Sequence, residues 1–128
     1  MSTPGNLQLG LHENRIHFWP GETIAGAAQW EQTQAPTVAE VRLCWYTRGK
    51  GTEDAAIVEA IPFSTPQPDD MRTFSFTAPA APYSFSGRLI SLIWAVELVL
   101  KPGKIFQRVE IVIAPGRREI VLPVLPTD

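Results

Sequence analysis

Cysteine and histidine are scarce in this chain of 128 residues and neither sign of charge is in large excess, and each of these shortages removes a class of function. The single cysteine, Cys44, excludes an internal disulfide and fits a reducing compartment, so a cytoplasmic setting is expected. Only two histidines are present, which leaves little for a metal centre. Eleven Lys and Arg stand against 13 Asp and Glu, a net charge of -2, with no electrostatic footprint for nucleic acid or an anionic membrane. The longest apolar-rich run, Leu89 to Leu100, is too short to span a bilayer and carries Glu97, so no transmembrane segment is expected. The opening Met-Ser-Thr-Pro-Gly-Asn has neither a basic region nor an apolar one, so no secretory signal is expected. Helical periodicity is also missing throughout.

What is abundant is turn chemistry, with 12 Pro and 9 Gly. The segments between the turns alternate with a period of two. Leu7, Leu9 and Leu11 share one face, and Ile24, Gly26, Ala28 and Trp30 share another. Gly26 in mid-strand costs conformational entropy, which predicts a close approach at that point. Val41, Leu43, Trp45 and Thr47 oppose Glu40, Arg42, Cys44, Tyr46 and Arg48. Arg48 to Asp54 reads as a charged loop, Ala55 to Phe63 as an edge-like strand, and Ser64 to Asp70 as an exposed loop. Phe74 and Phe76 point inward from a short strand. Ile90, Leu92, Trp94, Val96, Leu98 and Leu100 then line one face of a long strand. It returns through Lys101-Pro102-Gly103-Lys104 to bury Ile105, Val109, Ile111 and Ile113. About eight to ten such strands predict an all-β, antiparallel β-sandwich. One domain over residues 1–128 is expected, with its core at about 7–115 and a C-terminal extension at 116–128.

Several pieces carry a family resemblance in their order along the chain. They are Pro20-Gly21-Glu22 with Ile24-Ala25-Gly26, the strand Val41 to Tyr46, and Phe74-Ser75-Phe76 with Pro79. The corner Pro82-Tyr83-Ser84-Phe85-Ser86-Gly87 and the long strand behind it complete the set. Over about Leu7 to Pro115 the chain resembles an arrestin-type N-terminal domain. That resemblance implies an immunoglobulin-like sandwich serving as a scaffold or adaptor rather than a catalyst. Arrestins proper carry two such domains, early tandem lysines and, in some members, a Pro-Pro-x-Tyr motif. None of these is matched here, so receptor binding and phosphate sensing are not carried over.

The residues able to do chemistry do not assemble into a recognisable centre. His12 and His17 flank a turn with Glu13 between them and lack a clear third metal ligand. Ser84 and Ser86 sit beside Gly87 without a nucleophile elbow and read as turn residues. Gly49-Lys50-Gly51-Thr52 is half a phosphate loop with no following helix. Cys44 has Arg42 nearby to lower its pKa but no base. Asp69-Asp70 offers two carboxylates, too few for calcium alone, and Arg117-Arg118 is a short basic patch. No enzyme activity, cofactor or metal is expected.

Two strands with weak alternation read as exposed edges. Ile57, Val58 and Ile61 mark one, and Ile120, Val121 and Leu122 the other. Either could receive a strand from a protein partner or from a second copy. The leading expectation is a non-catalytic interaction module. The alternative is a small-molecule or carbohydrate-binding sandwich that uses Trp19 and adjacent loops, because Trp19 sits in a turn rather than on an apolar strand face.

Overall fold

The computed structural model describes residues 6–49, 53–87, 90–103, 105–117 and 120–121. Ten strands follow one another: β1 (Asn6–Leu11), β2 (His17–Phe18), β3 (Thr23–Glu31), β4 (Val38–Gly49), β5 (Ala55–Pro62), β6 (Asp69–Thr77), β7 (Phe85–Ser86), β8 (Ile90–Lys101), β9 (Ile105–Ile113) and β10 (Ile120–Val121). Short 3-10 turns occupy His12–Asn14 and Pro115–Arg117. A three-stranded sheet runs β1-β3-β6. A seven-stranded sheet runs β10-β7-β8-β4-β5, with β9 pairing β8 and β2 pairing β9.

The small sheet is purely antiparallel, whereas the large one is mixed. β2 runs parallel to β9, and β10 parallel to β7. Neither pair is joined by a hairpin, so no tight turn imposes the antiparallel sense. Two boundaries also differ from the sequence reading. β4 continues through Arg48 and Gly49 because β8 is long enough to pair with them, at Ser91 and Ile90. β6 begins at Asp69, which pairs with Glu31, so the loop before it is shorter than expected.

The alternating faces bury as their periods predict. Ile24, Phe74 and Phe76 from the small sheet meet Val41, Leu43, Trp94 and Val96 from the large one in a shared core. A second group of buried residues gathers Trp30, Ala28, Ala39, Leu98 and Leu100. Leu9 and Phe63 pack against both groups, with the Phe63 ring stacked on Trp30 at 5.9 Å. Burying an indole strands its N–H unless an acceptor is supplied. Trp30 Nε1 donates to the Gln67 carbonyl and Trp94 Nε1 to the Pro82 carbonyl, each at 2.8 Å. The close approach predicted at Gly26 is present: a Cβ there would lie 2.3 Å from the Gly10 carbonyl oxygen and 2.8 Å from Phe74 Cζ.

β8 organises the large sheet. Along one side it pairs with β4 from Ile90 to Lys101. Along the other it pairs first with β7, at Ser91 and Leu92, and then with β9, from Trp94 to Leu100. Between those neighbours the sheet forks, and the end of β9 leaves to meet β2 at residues 17 and 18. Ser84 holds the fork closed at its base. Its N–H donates to the Ile113 carbonyl at 2.8 Å, and its Oγ accepts from the Ile113 N–H at 3.0 Å.

Candidate functional site

The two strands read as edges lie at opposite ends of the large sheet. β5 pairs with β4 alone among the described residues. Its register slips between Leu43, opposite Glu59, and Cys44, opposite Ile57, which leaves Val58 as the extra residue of a bulge. Ile57 is 57% exposed and Val58 47% exposed. Ile61 differs from them: it faces Val41 and packs half-buried against the core. Beyond the bulge at Val58, the charge of Glu59 and Pro62 guard the second half of this edge, so Ala55 to Val58 is the uncharged stretch. β10 pairs with β7 through Ile120 and Val121, whose side chains are not described, and Leu122 lies outside the described residues.

Trp19 is 46% exposed while its backbone is held firmly. Its N–H donates to Glu22 Oε1 at 2.6 Å, and its carbonyl accepts from the Glu22 N–H at 3.1 Å. Glu22 is held in turn by Arg15 at 2.5 Å, and the Arg15 guanidinium lies 4.6 Å from the Phe18 ring. His12 and His17 are both exposed, and His12 is 3.7 Å from Glu13. Among the described residues no three His, Cys, Asp or Glu side chains converge on a point that could hold a metal.

The remaining candidates are occupied by structural work. Asp70 accepts from Arg72 and the Met71 N–H on Oδ1, and from Arg72 and the Gln67 N–H on Oδ2. Those bonds, that from Arg72 foremost, hold its carboxyl below the usual range and leave little for a cation. Cys44 is buried, and its thiol donates to the Ala95 carbonyl at 3.6 Å. Burial, helped by Glu97, pushes its pKa up to about 11, outweighing the opposite pull of Arg108 and Arg42. The thiol is held in its protonated form, and the nearby Arg42 does not lower its pKa below the ordinary value. Lys50 to Thr52, Arg118 and the side chain of Arg117 lie outside the described residues.

The sequence reading missed a charged ladder on the outer face of the large sheet. Tyr46 donates to Glu110 Oε2 at 2.5 Å, and Arg48 donates to the same oxygen at 2.8 Å. Arg108 pairs with Glu97, and Arg42 with Glu40 at 2.6 Å. The Arg108 guanidinium sits 4.9 Å from the Tyr46 ring. Burial and the bond to Glu110 raise the Tyr46 pKa, while the bonds from Tyr46 and Arg48 lower that of Glu110. Phe106, 57% exposed, borders a depression of about 370 Å³ beside Val99 and Lys101. The signal was present, since these residues share one phase of β4, β8 and β9, but their partners are up to 64 residues apart.

Two stacked sheets, with the Pro82–Gly87 corner feeding a long central strand, define an all-β sandwich of the arrestin-like fold. Among solved structures the chain is similar to the crystal structure of Spo0M, a sporulation control protein from Bacillus subtilis. The TM-score is 0.60 at 17% sequence identity, over 88% of this chain and 50% of that one. The likeness carries the fold alone, and this chain spans about half the length of that protein. No family model and no curated protein matches the sequence. No described helix is long and apolar enough to cross a membrane.

Proposed function

We propose that this chain is a non-catalytic interaction module of arrestin type that receives a protein partner along the free edge of β5. The observation carrying this reading is the uncharged stretch Ala55 to Val58 at the end of the large sheet, with Ile57 and Val58 turned to solvent. Backbone donors and acceptors on an edge strand are strong hydrogen-bonding groups without a ladder partner. An added strand satisfies them, and its side chains are selected by contact with Ile57 and Val58. Two facts support a regulatory rather than catalytic role. Ser84, Asp70 and Cys44 are committed to holding the fold, and the similar protein Spo0M is described as a control protein. A cytoplasmic setting belongs to the same proposal, because the lone, buried thiol of Cys44 suits a reducing compartment.

The test is affinity capture with the full chain and with Ile57→Lys, the retained proteins being identified by mass spectrometry. A partner retained by the wild type should be lost at least tenfold by Ile57→Lys, whose melting temperature stays unchanged. Hydrogen exchange of the complex should slow at residues 55–58. Partners equally retained by Ile57→Lys and Val58→Lys, or protection confined to another surface, would sink the proposal.

A further inference from the structure

The fork in the large sheet opens a cleft whose polar groups are largely unused by the fold. Ser86 pairs across the sheet with Ser91, and Ser91 with Arg48, so three polar side chains share one cross-strand row. They line a cavity of about 340 Å³ together with Ser84 and Glu110, and Ile93 contributes an apolar surface. Among the described residues, the hydroxyls of Ser86 and Ser91 have no hydrogen-bond partner. Ser84, 2% exposed, accepts from Ile113 and keeps its hydroxyl proton for another acceptor. Arg48 spends one nitrogen, Nη2, on Glu110 and Tyr46, which leaves its other N–H groups free. Glu110 spends Oε2, which leaves Oε1.

These groups select a chemical class. The charges of Arg48 and Glu110 cancel, so the cleft favours neither an anion nor a cation. Serine hydroxyls both donate and accept, guanidinium only donates, and carboxylate only accepts. A ligand that satisfies all three presents hydroxyl groups, which also do both. The volume lies at the small end of ligand pockets, about 300–1,000 Å³. We propose that this cleft binds a neutral, polyhydroxylated molecule the size of one sugar ring. Its hydroxyls are held by Ser86, Ser91 and the Arg48–Glu110 pair, and its C–H face rests on Ile93. The cleft lies on the β7 side of β8 and reaches β4 only at Arg48, beyond the Glu40 to Tyr46 stretch that pairs with β5, so it does not use the free edge of β5.

The isotope-labelled full chain is titrated separately with glucose, myo-inositol and inorganic phosphate while its amide resonances are followed. Glucose or myo-inositol should give saturable shifts at Arg48, Ser84, Ser86 and Ser91, with a dissociation constant on the order of millimolar, as suits so small a ligand. Loss of two hydroxyl contacts in Ser86→Ala/Ser91→Ala should weaken binding by about tenfold or more. Arg48→Met, which removes the guanidinium and its charge, should weaken it as well, and Trp19→Ala should leave it unchanged. The proposal is overturned by tighter binding of phosphate than of either polyol, by shifts centred on Trp19, or by no saturable shift with glucose or myo-inositol.

Discussion

At Gly26 the backbone of β1 and the ring of Phe74 together occupy the space a side chain would need. The nearest obstacle is a carbonyl oxygen, which cannot swing aside as a side-chain end can. Gly26→Ala is therefore expected to force β1 away from β3 and to cost about 1–3 kcal/mol, as overpacking does. Urea unfolding measures this, and an unchanged midpoint would show that the strands separate freely. This residue was legible in the sequence because glycine interrupts an otherwise apolar strand face. Trp19 was legible for the complementary reason, since an indole between Phe18 and Pro20 falls in a turn. Glu110 was not, because a lone acidic residue on a strand gives no sign that Tyr46 and Arg48 lie beside it across the sheet.

Strands β4, β8 and β9 are tied on their outer face by ion pairs and on their inner face by apolar packing. The Glu110 carboxyl, held by Tyr46 first and Arg48 next, ionises below its ordinary value of 4.5. Since the folded pKa is the depressed one, the stabilisation is complete above pH 4.5 and fades as the pH falls through the folded value. Glu110→Gln should accordingly flatten the loss of stability on acidification below pH 4.5 relative to wild type. Unfolding curves on either side of that pH decide the matter, and parallel pH profiles for the two proteins would remove the ladder from the account. At this scale the long strands were readable from their period. The parallel pairs were not, because the two-residue strands β2 and β10 are too short to show any period.

Two groups of buried residues meet through Leu9 and Phe63, so the molecule is built to unfold as one unit. Tryptophan fluorescence and far-ultraviolet circular dichroism should report a single shared transition in the wild type. Phe63→Ala, at a half-buried position, should cost about 2 kcal/mol, below the loss for a fully buried phenylalanine. It should also begin to separate the two signals, because Trp30 loses its stacked neighbour. Coincident curves in the variant would show that Leu9 alone suffices as the bridge. The sandwich as a whole was visible in the sequence because alternation and turn residues agree along the chain. Its sheet order was not, since β8 chooses among β4, β7 and β9 by contacts far apart in sequence. One of those long-range arrangements gives the molecule a mechanical character. β2 and β9 lie side by side and run the same way, joined by Val112 N–H to the Ile16 carbonyl and Ala114 N–H to the Phe18 carbonyl. Traction applied at Asn14 and Gly116 draws these strands past each other in opposite directions. Both bonds then carry the load together instead of parting in turn, and the short parallel pair acts as a clasp against stretching.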